Sequence, residues 1–364
     1  MLPLLFAFFA AVAPADQELD NRLCAIVEAS YDDRHGGFVA KDGSPNEAAI
    51  ELAFHLARER GDSLWNERAL RTLDFVLTLQ DTIGGGFVTR PIERDVDEMG
   101  FDKNTIPNAR RLENLVDAIL LTNDPKWRDA ADRNVEFFDR VLIDGRGGFV
   151  VGMHGDRPLV GDVNGWAIRA WLRYAALDAN GKGRDFALKS IERVYTECWQ
   201  EPAGFVRHGD FGEIKENPRL SDQVVMGRTL VVAAHMAGRE KDLMRAKGIA
   251  DTILRSYFDP KGGFYTSLTP AKGTFKGSGK SLLENARVAR FFADLAAVAG
   301  EARYRDYARR IPPVFEGDFK KPDAVEAAEW ALVLRSLQSA DLPDRPTWTE
   351  APPPKPRPRA KRYR

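Results

Sequence analysis

Three aspartates stand where chemistry could be done. Asp102, Asp162 and Asp222 each come between a Gly-Phe turn and the body of an apolar helical stretch. Carboxylates that converge from separate segments can act as general acid and general base, the pair that cleaves a glycosidic bond. The groups beside them suit a sugar ring. Lys103, Asn108 and Arg110 follow Asp102, Asn164 and Trp166 follow Asp162, and Glu284 opens a later helix, so the set offers hydrogen-bonding groups and one aromatic face for stacking. Plainer roles compete for some of them. Asp162 could be a helix N-cap, and Glu284 closes a capping box, Ser281-Leu282-Leu283-Glu284, as Glu47 does in Ser44-Pro45-Asn46-Glu47. Asp102 sits in Phe101–Asn108, which reads as a long mixed loop, and Asp222 follows Ser221, the better cap.

Other chemistries find no foothold. The sequence has no Walker loop, dinucleotide fingerprint, G-x-S-x-G or Cys-x-x-Cys, which removes the usual signals of nucleotide hydrolysis, hydride transfer, serine hydrolysis and thiol redox work. His35, His154 and His208 lie in or beside the Gly-Phe loops, but their spacing matches no compact ligand motif, so neither metal nor cofactor is expected.

The elements that must position these residues are repeated. Gly36-Gly37-Phe38, Gly85-Gly86-Phe87, Gly147-Gly148-Phe149, Gly204-Phe205, Gly262-Gly263-Phe264 and a degenerate Gly317-Asp318-Phe319 recur, with successive phenylalanines 49, 62, 56, 59 and 55 residues apart. Before each lies an amphipathic stretch such as Arg68–Val76 or Lys247–Leu254; after each comes a more apolar, Ala-rich one. Gly61, Gly181, Gly238 and Gly300 fall where a helix needs a left-handed C-cap, and Pro322 suits a first helical turn. Six such pairs predict an all-α fold, an (α/α)6 toroid of six helical hairpins with Gly-Gly-Phe turns over residues 16–342. The phenylalanines would plug the layer beneath each turn, and the Asp-bearing loops would open on a central funnel. Cys24 and Cys198 fall in the first and fourth outer helices, too far apart around such a ring for a disulfide, so both are expected as buried free thiols.

The chain has 364 residues, 44% hydrophobic and 29% charged, with 53 Lys+Arg against 54 Asp+Glu. That near-neutral balance gives no reason to expect nucleic acid as a partner. Leu2 to Ala13 is an apolar run ending in Ala13-Pro14-Ala15, which reads as a signal peptide over residues 1–15 and implies export to a periplasmic or extracellular space; without it the protein would be cytoplasmic. About 12 residues is too short to span a bilayer, which takes about 20. Residues 343–364 are Pro-rich and basic and read as a disordered tail, a possible contact for a protein partner.

The order of motifs resembles a known family, the spermatogenesis-associated-protein-20-like, thioredoxin-domain-containing proteins, in their C-terminal six-hairpin region. Gly84-Gly85-Gly86-Phe87 followed by Gly100-Phe101-Asp102-Lys103-Asn104-Thr105-Ile106-Pro107-Asn108-Ala109 is similar to that family's Gly-Gly-Gly-Phe and His-Phe-Glu-Lys-Met-Leu-Tyr-Asp-Asn-Ala. Asp162-Val163-Asn164-Gly165-Trp166, Leu220-Ser221-Asp222-Gln223 and Gly263-Phe264-Tyr265 match further motifs in order, so the resemblance covers most of residues 25–300. Gly100, Asp102 and Pro107 replace the family's His, Glu and Asp, and these residues are read as the six-hairpin region without the thioredoxin-like domain. The resemblance implies a six-hairpin glycosidase-like funnel, akin to that of the N-acylglucosamine 2-epimerases. The leading expectation is therefore a protein that binds or processes a saccharide by carboxylate acid/base chemistry. The alternatives are a catalytically silent (α/α)6 scaffold of the cell envelope and, less favoured for want of an aspartate-rich or zinc motif, a terpenoid-cyclase or prenyltransferase-like toroid.

Overall fold

The computed structural model describes residues 14–34, 36–89, 102–154, 158–178, 183–208, 214–271 and 274–338. The signal-peptide reading falls almost wholly on residues outside these, as do the tail, Gly181 and His35. Twelve α-helices occur among the described residues: α1 (Pro14–Ala29), α2 (Glu47–Arg60), α3 (Ser63–Thr78), α4 (Thr105–Thr122), α5 (Pro125–Phe137), α6 (Gly161–Ala175), α7 (Arg184–Cys198), α8 (Leu220–Ala237), α9 (Glu240–Thr252), α10 (Leu282–Ala299), α11 (Ala302–Arg309) and α12 (Ala324–Gln338). Their alternation follows the predicted pairs, with the even-numbered helices the more buried. Leu220–Ala237, for example, is buried at nearly every position.

The chain gathers into two compact units. In the first, built from residues up to 75 with 259–264 and 280–343, α12 packs against α1, α2 and α10, and α10 carries α11. In the second, residues 76–258 with 265–279, α4, α6 and α8 lie side by side, backed by α5, α7 and α9. Gly165 explains how closely α6 approaches α8. A Cβ there would meet Val225 Cγ1 at 2.8 Å and the Val225 carbonyl carbon at 3.1 Å, and the Thr229 hydroxyl donates to the Gly165 carbonyl at 2.8 Å across the same contact.

Four of the six Gly-Phe signatures prove to be one arm of a miniature hairpin, while Gly317-Asp318-Phe319 runs into a short 3-10 turn. Tyr31 pairs with Phe38, Gln80 with Phe87, Ile143 with Phe149 and Trp199 with Phe205, each partner lying at or just past the end of the preceding helical segment. All six signature phenylalanines are buried, as expected of plugs, each contributing on the order of 2 kcal/mol of apolar transfer. Further antiparallel pairs, Arg207–His208 with Ile214–Glu216 and the longer Ser267–Ala271 with Thr274–Ser278, decorate the second unit.

The helix starts differ in detail from the sequence expectation. Asn46, not Ser44, caps α2, its Oδ1 accepting from Ala49 N at 3.1 Å, because the Ser44 N–H and hydroxyl are both taken by Asp42. Pro322 precedes α12 rather than entering it; Asp323 is the cap, accepting from Val325 and Glu326 N–H while Glu326 accepts from Asp323 N. The Phe101–Asn108 loop is shorter than expected, since α4 already begins at Thr105.

Candidate functional site

The N-terminal turns of α6 and α8 lie together in the second unit. Asp162 is the second residue of α6 and Asp222 the third of α8, so both carboxylates sit beside helix N-termini, where negative charge is favoured. Gly161 permits the approach, since a Cβ there would lie 3.1 Å from Asp222 Cβ. Neither aspartate is an N-cap: Val160 and Arg219 hold those positions, and Ser221, expected to be a cap, instead donates its hydroxyl to Asp162 Oδ2 at 3.0 Å.

Arg207 binds the two carboxylates into one cluster. Its Nη2 donates to Asp162 Oδ2 at 3.0 Å and its Nε to Asp222 Oδ2 at 3.0 Å, while Asp222 Oδ1 accepts from the Asp162 backbone N–H at 2.9 Å. Asp222 is fully buried; the Asp162 and Arg207 side chains keep 15% and 16% exposure, so a ligand can meet those two and not Asp222. Burial, reinforced by the neighbouring Asp162 charge and only partly countered by Arg207, pushes the Asp222 carboxyl up to about 7. A group so poised exchanges its proton near neutral pH.

The remaining sequence candidates separate. Asp102 is exposed, and among the described contacts it takes no part in this cluster; its backbone carbonyl accepts from Thr89 N at 2.7 Å. Lys103, expected to bind substrate, is buried, with Nζ donating to Asp81 Oδ2 at 2.6 Å and to the Gly85 carbonyl at 2.8 Å; it locks its own Gly-Gly turn and holds the Asp81 carboxyl down at about 2. Glu284 belongs to the first unit, where its N–H donates to Ser281 Oγ at 3.3 Å in the first turn of α10.

Asn108 and Asn164, expected to bind substrate, act as latches within the fold. Each is fully buried and closes a two-point contact with the backbone of a signature phenylalanine: Phe87 N to Asn108 Oδ1 at 2.7 Å with Nδ2 to Phe87 O at 2.9 Å, and Phe149 N to Asn164 Oδ1 at 2.7 Å with Nδ2 to Phe149 O at 3.0 Å. Gln223 does the same for Phe205 and Asn285 for Phe264. The second amide proton of each goes to the carbonyl four residues earlier, so both N–H groups of every amide are used within the fold. This also explains a signature glycine. At Gly148, φ is +92°, and a Cβ would sit 2.9 Å from Asn164 Oδ1. The signal was present in sequence as an Asn or Gln near each of four helix starts; its meaning needed the opposing backbone.

Trp166 is likewise not an open platform. It is 3% exposed, with the Arg169 and Arg110 guanidinium carbons 4.2 and 4.9 Å from its ring centre. Below it the interhelical seam is ionic: Arg169 donates to Glu113 at 2.7 and 2.6 Å, and one turn on Arg173 pairs with Asp117 at 2.7 Å. The matched i, i+4 spacing of acids on α4 and arginines on α6 is visible in sequence, whereas Arg207, on a strand remote from both aspartates in sequence, left no signal there. The first unit has its own buried charge group, with Arg290 between Glu51 and Glu329. Among the described residues no three His, Cys, Asp or Glu side chains gather as a metal site, and Cys24 and Cys198 are free and buried.

No family model and no curated protein matches the sequence. Solved structures do match the fold. A D-mannose isomerase superposes with a TM-score of 0.71 at 12% identity, covering 90% of this chain and 99% of that one. A cellobiose 2-epimerase from Bacillus thermoamylovorans gives 0.68 at 12% identity, with 83% and 87% covered. An inactive double aspartate-to-asparagine variant of an α-1,6-mannanase from Salegentibacter, in complex with α-1,6-mannotriose, gives 0.65 at 12%, with 89% and 99% covered. The fold is the (α/α)6 class of six helical hairpins, shared with six-hairpin glycosidase-like enzymes.

Proposed function

We propose that the protein binds a saccharide at the N-terminal ends of α6 and α8 and that Asp162 is the group which can carry out acid/base work on it. The observation that supports this reading is the Asp162–Arg207–Asp222 cluster: one carboxylate part-exposed, one sealed, and a guanidinium fixing both. In this reading Asp162 and Arg207 meet ligand hydroxyls, Ser221 orients Asp162, and Asp222 is a positioning residue that acts through Arg207. The structurally similar isomerase, epimerase and mannanase all act on sugars by name, which fits a saccharide ligand here. Kinship with the thioredoxin-domain-containing family, carried by the order of motifs, is part of the same proposal.

A specific observation favours a second reading, a binding protein without catalysis. Hydrolysis by two carboxylates places the glycosidic bond between them, about 5 Å or 6.5–9.5 Å apart. Here Arg207 occupies the space between Asp162 and Asp222. Thermal shift of the full chain against neutral, amino and uronic oligosaccharides tests binding, and product analysis of any sugar that shifts it tests processing. A concentration-dependent shift that Asp162→Asn abolishes is the expected result. Binding without turnover selects the silent reading, and no shift with any sugar rejects both.

A further inference from the structure

The first unit carries a cleft of its own. The C-terminal end of α1, the loop after Phe38 and the first turn of α12 enclose about 640 Å³, a size usual for small-molecule sites. Its wall is aliphatic: Ile26, Ala29, Val39, Ala40, Ala324 and Val325 line it, and none of them is fully buried. Apolar surface left open in a concave place is what an apolar group would cover. Two opposite charges stand side by side on the rim. Lys41 Nζ lies 3.9 Å from Asp323 Oδ2, too far for a hydrogen bond, with the lysine side chain 86% and the aspartate 34% exposed. Asp323 serves the fold through its other oxygen, Oδ1, which accepts from Val325 and Glu326 N–H. Among the described contacts neither Oδ2 nor the Lys41 ammonium takes part in a hydrogen bond, so an acceptor and a donor of three protons stand together at the mouth. Asp42, the other acid lining the cleft, is engaged by the Ser44 N–H and hydroxyl. A ligand with one charge would be attracted by one member of the Lys41–Asp323 pair and repelled by the other. A ligand with an ammonium and a carboxylate on a single carbon answers both, and exchanges a long, exposed ion pair for two charge-assisted hydrogen bonds.

We infer that this cleft binds a free aliphatic α-amino acid, its carboxylate received by Lys41, its ammonium by Asp323 and its side chain by the wall that includes Ile26, Val39 and Val325. The inference stands independently of the saccharide reading, which concerns residues of the second unit. Lys41 and Asp323 together select the zwitterion, and the wall selects the side chain by the apolar area it covers.

Calorimetric titration of the full chain with leucine and three analogues tests it: isocaproate, which lacks the ammonium, isoamylamine, which lacks the carboxylate, and glycine, which lacks the side chain. The expected result is that leucine binds about ten-fold or more tightly than each of them. Two variants remove one charge apiece without unfolding the chain. Lys41→Met keeps the apolar stem, and Asp323→Asn keeps the cap of α12, since an amide oxygen accepts from the same N–H groups. Each should lower leucine affinity by about ten-fold while leaving the thermal transition in place. Arg71→Gln, on an exposed face of α3 in the same unit, should change nothing. Absence of leucine binding, an analogue that binds as tightly as leucine, or a leucine affinity unchanged in either variant overturns the inference. None of these results touches the saccharide reading.

Discussion

Arg169 on α6 and Glu113 on α4 form a two-point ion pair, Nε to Oε1 at 2.7 Å and Nη2 to Oε2 at 2.6 Å, with the arginine 2% exposed. Two charges have been taken out of water at a helix seam that apolar side chains could have filled. Such a pair contributes little net stability, but breaking it leaves one charge buried alone. Glu113→Ala is expected to lower the unfolding free energy by about 3–5 kcal/mol, whereas the double change Glu113→Leu with Arg169→Met should cost far less or nothing. Urea unfolding of both variants checks this.

The amide latches make a second expectation. Asn164→Leu leaves the Phe149 N–H and carbonyl buried without partners, at a cost of about 1–3 kcal/mol for each unsatisfied group. Hydrogen exchange at Phe149 should quicken with the loss of stability, and the Phe264 amide, latched by Asn285 in the first unit, should not follow it.

Two glycines should respond oppositely to alanine. In α9, Gly248 has nothing within 4 Å of an added Cβ, so Gly248→Ala is expected to stabilise by about 0.5–1 kcal/mol through helix propensity alone. In α6, Gly165→Ala presses a methyl onto the α8 backbone and should destabilise by about 1–3 kcal/mol. Thermal melts of the pair separate propensity from packing.

Asp222 sets a pH dependence whose sign is fixed. Its carboxyl lies at about 7 in the folded protein, against about 3.9 in an unfolded chain. Between those values the folded state holds a proton that the unfolded state does not. The stabilisation from this group is therefore complete below about pH 4 and is lost as the pH rises through about 7. Melting temperatures across pH 4 to 8 should show this falling component in the parent protein and lack it in Asp222→Asn.

Burial also raises both thiols, Cys24 to about 11 and Cys198 to about 12. Thiolate is the reactive form, so a disulfide reagent at pH 8 should leave both cysteines unmodified in the folded chain and titrate two on unfolding. Fast labelling of either cysteine in the native protein would contradict the burial found here.

Much of the architecture is local information and was legible in the sequence. Helix periodicity, the Gly-Phe turns and the left-handed caps at Gly61, Gly238 and Gly300 depend on residues a few positions apart, so six hairpins and their buried phenylalanines could be read directly. The site was legible in part, because an aspartate at a helix start announces itself while its partner does not. Asn108, Asn164 and Trp166 carried side chains suited to a sugar; only packing showed the amides facing a phenylalanine backbone and the indole lying beneath two arginines. Arg207 reaches Asp162 across 45 residues and Asp222 across 15, and no spacing rule anticipates such a meeting. The sequence by itself determined which stretches are helices and where they turn, since hydrogen bonds within helices and turns are satisfied by near neighbours. Tertiary structure alone decided which polar groups face water and which are consumed inside the fold, because desolvation depends on what arrives from elsewhere in the chain.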